Sequence, residues 1–469
     1  MQMLYNEAIL GSYLYVRASE LGEARIASLR ERLTFVPRGT DAAGKPVALF
    51  EERNGLFGLP LYDSHLSPSL QAIATRDLRT TGTTFQFDFK PELREGQKPV
   101  ISTLEKWLKE GATGFLLEAE PGFGKTVVLL KIMQLLGCTT LVVVPRSNLI
   151  KQWVERITEH TSLKRSEIGV VNGPQAVWRG KKVVVGLVHT LALDRLPKEF
   201  KTMFGAAFFD EVDHSVPPQT FGPVVTLCPV KYRVGCSAEM KRFDGRHVVF
   251  EKHIGQVRLQ GVAHEDEVMQ PKVLAVEFDR NSGKVYSGLS SMQRRGVLLS
   301  MLAKNPARNM MISKYVKLMY NSDRQLVVLS DRVEHLVTLR GMATKAQGIP
   351  LSETGLYAGS VPAGEDLEKW RKPSGQELSQ IASDCKVIFA TYQMFALGTD
   401  IQNLAGLIYA TPQSGVVQSK GRIVRALADK KQPVVVDVLD TMYPDTMRWW
   451  SKRLKHYRDE GMQVKRVRG

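Results

Sequence analysis

Cysteine is scarce: Cys138, Cys228, Cys236 and Cys385 are the only four in 469 residues, and none stands in a Cys-x-x-Cys pair. That excludes the usual spacing of a zinc site or iron–sulfur cluster and leaves reduced, buried thiols in a cytoplasmic protein as the expectation. Long apolar runs are missing as well. No stretch approaches the roughly 18 residues of a membrane span. The segment from Met1 to Val16 has apolar character, but neither a basic leader nor a cleavage site, so no secretory signal is read there. There is no close internal repeat and no nuclease constellation. Acidic residues are outnumbered, 48 against 64 Lys and Arg, for a net charge of +16. Such an excess favours a polyanionic partner, nucleic acid ahead of an anionic membrane surface. The chain is too long for one core, and about three domains are expected.

What is present begins with residues 119–126, Ala-Glu-Pro-Gly-Phe-Gly-Lys-Thr. The run follows a short apolar stretch, Gly114 to Leu117, and opens a helical one, Val127 to Leu136, the setting a phosphate-binding loop requires. Gly122 and Gly124 let the backbone turn its N–H groups inward. Lys125 reaches the β- and γ-phosphates, and the Thr126 hydroxyl holds Mg²⁺. Ala119 stands where the strict pattern has glycine. Downstream, the apolar run Ala206 to Phe209 ends in Asp210-Glu211-Val212-Asp213-His214. Two carboxylates straight after a buried strand suit a Mg²⁺ ligand, Asp210, and a group that orients and deprotonates a water, Glu211.

From about residue 88 short apolar strands alternate with helical stretches, the pattern of a doubly wound parallel α/β sheet. One block offers Gly114–Leu117, Thr140–Val144, Val183–Leu187, Ala206–Phe209 and Arg233–Cys236. A second offers Leu326–Leu329, Leu356–Ala358, Val387–Ala390, Leu407–Ala410 and Val434–Val438. Between them Met301 to Met319 reads as helical. The first 87 residues read as a small α+β module: a helix over Ala18 to Leu33, and strands Val47–Phe50 and Leu56–Leu61 about an Asn54-Gly55 turn. Four segments result: an accessory domain (1–87) able to fold separately and read DNA structure, an ATP-binding domain (88–252), a second α/β domain (253–446) with a helical segment near 285–320, and a basic terminal helix (447–469).

Over residues 88–445 the chain resembles the superfamily 2 helicases of the Asp-Glu-x-His type, within them the phage UvsW-type branch-migration motors and prokaryotic XPB-like helicases. The resemblance implies two tandem RecA-like domains, ATP with Mg²⁺, and a nucleic-acid-dependent ATPase. Arg94 and Gln97 match the motif whose Gln reads the adenine edge; Phe89 nearby either stacks on the base or packs in the core. Pro145, Arg146 and Ser147, with Leu149 and Trp153 after them, match the first strand-gripping motif, where a helix start offers N–H groups to a backbone phosphate or is merely capped. Thr190 matches a second phosphate contact. Ser237, Ala238 and Glu239 align with the Ser/Thr-Ala-Thr-Pro coupling segment, but Glu239 replaces Thr and Met240 replaces Pro. Ser330, Arg332, Thr391 and Tyr392 resemble the strand contacts of the second domain, and Gly398 and Asp400 its nucleotide loop. Gln418, Arg422 and Arg425 fit Gln-x-x-Gly-Arg-x-x-Arg, whose arginines act as fingers on the γ-phosphate or else are surface charges. The implied function is an ATP-dependent DNA helicase or translocase that remodels branched DNA in replication, recombination or repair. An RNA helicase, or a translocase or clamp that moves without unwinding, is the alternative. No oligomeric state is implied, and a monomer suffices.

Overall fold

The computed structural model describes residues 8–36, 46–63, 76–119, 122–212, 218–238, 240, 245, 247–255, 258–261, 270–280, 291–363, 366–396, 401, 404–413 and 431–469. The chain divides into two compact units, Met1–Ala263 and His264–Gly469. Among the described residues no helix is long and apolar enough to cross a membrane.

The first unit is built on an eight-stranded sheet. Across it the strands run Gln175–Val177, Ile168–Asn172, Val183–Leu187, Thr140–Val144, Ala206–Phe209, Tyr232–Ser237, Gly114–Ala119 and Arg258–Gly261. All pairings are parallel except that of the outermost strand, Gln175–Val177. Successive residues face opposite sides, and both sides are dry. Leu116, Leu141, Val143, Ala207 and Phe209 enter one apolar cluster, while Phe115, Leu117, Val142, Val144 and Phe208 enter the other. A sheet covered on both faces needs unbroken apolar strands, which is why these runs were legible without alternation.

The second unit has a seven-stranded sheet, all parallel. Its strands run Thr354–Tyr357, Val387–Thr391, Gln325–Ser330, Leu404–Tyr409, Val434–Asp440, Lys272–Phe278 and Val464–Arg468. The same alternation recurs, with Val327 and Leu329 on one side and Leu326 and Val328 on the other. The Val434–Asp440 strand carries two buried carboxylates. Asp437 accepts a two-pronged contact from Arg453 (2.8 and 2.9 Å) and the Tyr457 hydroxyl (2.9 Å). Asp440 is gripped the same way by Arg308 (2.7 and 2.9 Å). These forks fasten helices Pro444–Asp459 and Pro306–Asn321 to the sheet, and such pairs persist in a dry interior because every charge has a hydrogen-bonded opposite.

Several expectations are corrected. Residues 1–87 are not a free-standing domain. Leu14, Val16, Leu33, Phe57 and Leu59 belong to the same apolar cluster as Phe209, Val225 and Phe250. The accessory sheet (Glu51–Arg53, Leu56–Leu59, Leu14–Arg17, Ala8–Leu10, Arg76–Asp77) therefore shares its core with the ATP-binding sheet. The Asn54-Gly55 turn is present, both residues left-handed at φ 51 and 75°, but the strand entering it is Glu51–Arg53. The helix expected over Ala18 to Leu33 breaks at Gly22, whose φ of 75° no helix tolerates. The one expected over Met301 to Met319 is two, Ser291–Lys304 and Pro306–Asn321, because Pro306 starts a new helix capped by Asn305. The chain's end is not only a helix: Val464–Arg468 adds an edge strand beside Lys272–Phe278.

Candidate functional site

The phosphate loop joins the Gly114–Ala119 strand to helix Lys125–Leu136. Gly124, at φ 87°, is the residue before the helix, and Gly122 lies at φ 96°. Only glycine takes those angles cheaply, and a Cβ at position 124 would stand 2.5 Å from Gln97 Nε2. Lys125 Nζ donates to the Ala119 carbonyl at 2.8 Å, so the ammonium is held over the loop. Ala119 is the last residue of the strand and is not among the positive-φ residues, so its backbone does not call for glycine.

Gln97 is buried, and its amide braces this loop. Nε2 donates to the Phe123 carbonyl at 2.7 Å, and Oε1 accepts from the Arg94 N–H at 3.1 Å. Arg94 itself donates to the Gly122 carbonyl at 3.2 Å. In this arrangement Arg94 and Gln97 act on the loop's backbone. Phe89 packs partly buried against the core, with Lys131 Nζ 5.5 Å from its ring centre.

Asp210 and Glu211 follow the Ala206–Phe209 strand, which is separated from the phosphate-loop strand Gly114–Ala119 by Tyr232–Ser237 alone, and they stand at the carboxyl ends where α/β sheets bind ligands. Each Asp210 oxygen accepts one bond from the protein. The Trp153 indole N–H reaches Oδ2 at 2.7 Å, and the Cys236 thiol reaches Oδ1 at 3.0 Å. Burial, and then the Asp210 charge, push the Cys236 thiol far above its ordinary value, so it stays a proton donor. Glu211 sits at φ 49°, left-handed for a side chain that prefers otherwise. Strain of that kind concentrates at functional positions. Burial lowers the Arg146 guanidinium from its ordinary value while the Glu211 charge raises it, which puts the two within electrostatic reach. A Thr hydroxyl and a carboxylate are hard oxygen donors that fit Mg²⁺, an ion that takes few protein ligands beside substrate phosphates. Among the described residues no group of three or more His, Cys, Asp or Glu could hold a metal ion.

The departure at Met240 has a use. Its backbone N–H donates to Glu118 Oε1 at 2.8 Å, a bond that proline could not make. It ties the coupling segment to the end of the phosphate-loop strand. Ser237 is fully buried and Ala238 half-buried, while Glu239 lies outside the described residues.

Of the nucleic-acid candidates, Ser147 is exposed where helix Ser147–His160 begins and Arg146 just before it is half-buried, whereas Pro145 is buried and follows the strand before it. Thr190 Oγ1 accepts from the Gly173 N–H at 2.9 Å, leaving its own proton for another acceptor. In the second unit one expectation fails. Ser330 is fully buried. The Asn309 amide nitrogen is spent on the Ala303 carbonyl, so its Oδ1 accepts from His335 Nε2 (2.9 Å); His335 Nδ1 is then the acceptor for the Ser330 hydroxyl (3.0 Å), whose Oγ also accepts the Arg332 N–H at 3.1 Å. Burial lowers His335 to about 3, which keeps it neutral in this chain of bonds. Tyr392 is half-buried, donates to the Thr411 carbonyl at 2.5 Å and stacks on Tyr409, so one face of its ring is used against the core. Arg332 donates to the Gly296 carbonyl at 3.1 Å, and Thr391 accepts from the Met394 N–H at 3.2 Å. Gly398, Asp400, Gln418, Arg422 and Arg425 lie outside the described residues. The bonds made by Trp153, Cys236 and Glu118 carried no sequence signal, since each joins segments far apart in the chain.

The family described as the res subunit of type III restriction enzymes matches residues 90–242, which hold the phosphate loop and the carboxylate pair. L396 of Acanthamoeba polyphaga mimivirus, provisionally named an ATP-dependent RNA helicase, is 25% identical over 438 residues, 90% of this chain and 78% of its own. The DNA 3'-5' translocase XPB2 of Sulfurisphaera tokodaii is 32% identical over 168 residues, 36% of this chain and 35% of its own. Among solved structures, a fragment of a provisionally assigned HsdR subunit of a type I restriction enzyme from Vibrio vulnificus YJ016 superposes with a TM-score of 0.56 at 15% identity. That superposition covers 81% of this chain and 69% of the fragment, and it shows two tandem RecA-like folds.

Proposed function

We propose, for a chain that belongs to the superfamily 2 helicases of the Asp-Glu-x-His type and is therefore a nucleic-acid-dependent ATPase, that it remodels branched DNA by tracking the sugar–phosphate backbone. The observation that carries the reading is the first unit's convergence of a lysine-bearing phosphate loop and an aspartate–glutamate pair near Arg146, at the start of the surface helix expected to grip a strand. Lys125 holds the phosphates, Thr126 and Asp210 hold Mg²⁺, and Glu211 orients and deprotonates the attacking water. When bound, Mg²⁺ neutralises charge on the β- and γ-phosphates. The family resemblance gives Gly398 and Asp400 a nucleotide-loop role and Gln418, Arg422 and Arg425 a role on the γ-phosphate. The net charge of +16 supports a polyanionic track.

ATPase stimulation by single-stranded, duplex, forked and four-way DNA and by RNA, measured side by side, tests this. Forked and four-way DNA are expected to stimulate most. Greatest stimulation by RNA would install the RNA helicase reading, which the mimivirus relative's name favours. Triplex displacement without strand separation would install the translocase. Affinity should fall steeply with salt, by a log–log slope of about −0.7 to −0.9 for each phosphate neutralised. A flat response, or strong preference between unrelated sequences of equal shape, would count against backbone tracking.

Arg425→Ala is expected to leave ATP affinity nearly intact and to lower kcat by roughly 10³-fold, since a finger acts on transition-state charge. Normal kcat in that variant would leave Arg422 as the finger.

A further inference from the structure

The geometry points to Trp153 as a positioning residue that connects the strand-gripping helix to the Mg²⁺-binding carboxylate. Trp153 lies on helix Ser147–His160, whose Leu149, Ile150, Trp153 and Ile157 form its buried face. Its ring is fully enclosed, yet its one polar atom leaves the core to donate to Asp210 Oδ2 at 2.7 Å. A short bond from a neutral donor to a carboxylate is directional and about twice as strong as a neutral pair. It sets which way the carboxylate plane faces.

The same helix starts at the exposed Ser147, directly after the half-buried Arg146. Six residues separate Ser147 from Trp153, about 9 Å along a helix at 1.5 Å per residue. A helix transmits displacement over that length without flexing. A phosphate seated on the helix start therefore moves the indole, and the indole turns Asp210. Cys236 holds the second oxygen from the strand that ends in the coupling segment, so Asp210 is suspended between the two. Partners of metal ligands of this kind commonly change metal affinity when removed.

The inference rests on Asp210 being a Mg²⁺ ligand, and the test separates the two. Binding of a fluorescent ADP analogue to the full chain is titrated with Mg²⁺, with and without a thymidine oligonucleotide, for wild type and Trp153→Phe, each also melted thermally. Phenylalanine keeps the apolar ring and removes only the N–H. We expect melting within a few degrees of wild type, a half-saturating Mg²⁺ raised roughly tenfold, and loss of the shift that the oligonucleotide causes in wild type. A folded Trp153→Phe with wild-type Mg²⁺ requirement and wild-type shift overturns the proposal. Wild-type binding that needs no Mg²⁺ would instead overturn the site assignment itself. Should Trp153→Phe not fold, the indole region of the ¹⁵N–¹H spectrum of the chain decides. One of its six tryptophan signals must move both in Asp210→Asn and on adding Mg²⁺ with ADP, and absence of any such signal overturns the proposal.

Discussion

Lys125→Ala and Glu211→Gln each abolish ATP turnover, and they do so in distinguishable ways. Lys125 is the compact cation over the phosphate loop, fixed by the Ala119 carbonyl. Without it the β- and γ-phosphates lose their anchor, and binding of a fluorescent ATP analogue weakens along with turnover. Glu211→Gln leaves every phosphate contact in place and removes the group that takes the water's proton. A general base contributes typically about 10²- to 10⁴-fold, so turnover drops by at least that range while ATP stays bound. The glutamine variant is then expected to remain bound to ATP and to retain DNA through an electrophoretic run in which wild type dissociates. The left-handed backbone at position 211 is unchanged by the substitution, so folding is expected to be normal. Wild-type turnover in both variants would remove the site from this part of the sheet.

Deleting residues 1–87 is expected to destroy the first unit rather than trim it. The deleted part includes Leu14, Val16, Leu33, Phe57 and Leu59, all buried in the cluster that also holds Phe209 and Phe250. Each such side chain contributes about 1.5–3 kcal/mol when buried, against a total stability of about 5–15 kcal/mol. Polar losses compound this. The buried Arg233 guanidinium donates to the Ser12 carbonyl at 2.8 Å and to the His253 carbonyl at 2.7 Å. Truncation would leave half of that cation's bonds unmade in a dry site. Lys252 would lose Asp63, a fully buried carboxylate 2.6 Å from its ammonium. Thr80, whose N–H donates to the Pro229 carbonyl at 2.6 Å, goes too. The expected product is aggregated, with no cooperative melt. A soluble truncation that melts cooperatively and keeps DNA-stimulated ATPase would show that the accessory sheet is a separate domain after all.

These two results bear on different kinds of legibility. The strands Thr140–Val144, Val183–Leu187 and Ala206–Phe209 have the bounds that their apolar runs predict, because a strand buried on both faces writes its whole length in one class of residue. Ile168–Asn172 and Lys272–Phe278 leave no such mark. The first carries Gly169 and Asn172 and the second carries Lys272 and Glu277, so neither is an unbroken run. The edge strand Val464–Arg468 lies inside a segment whose composition is that of a basic helix, since charge on an edge guards against further pairing and hides the strand.

By itself the sequence determined the chemistry: a glycine-bearing turn before Lys125 and Thr126, a carboxylate pair closing a buried strand, and the two parallel sheets that carry them. Those features are local, written within ten residues, and depend on backbone angles and residue type. Tertiary structure alone decided how the groups are held. Asp210 is aimed by Trp153 from 57 positions upstream and Cys236 from 26 downstream, and Gln97 was drawn in to brace the phosphate loop. Ser330 was taken into the core and Tyr392 was packed against it, where His335 and Thr411 satisfy them. The accessory sheet and the ATP-binding sheet became one body for the same reason. A hydrogen bond or an apolar contact between distant segments leaves no periodicity in either one, and only folding brings the partners within reach.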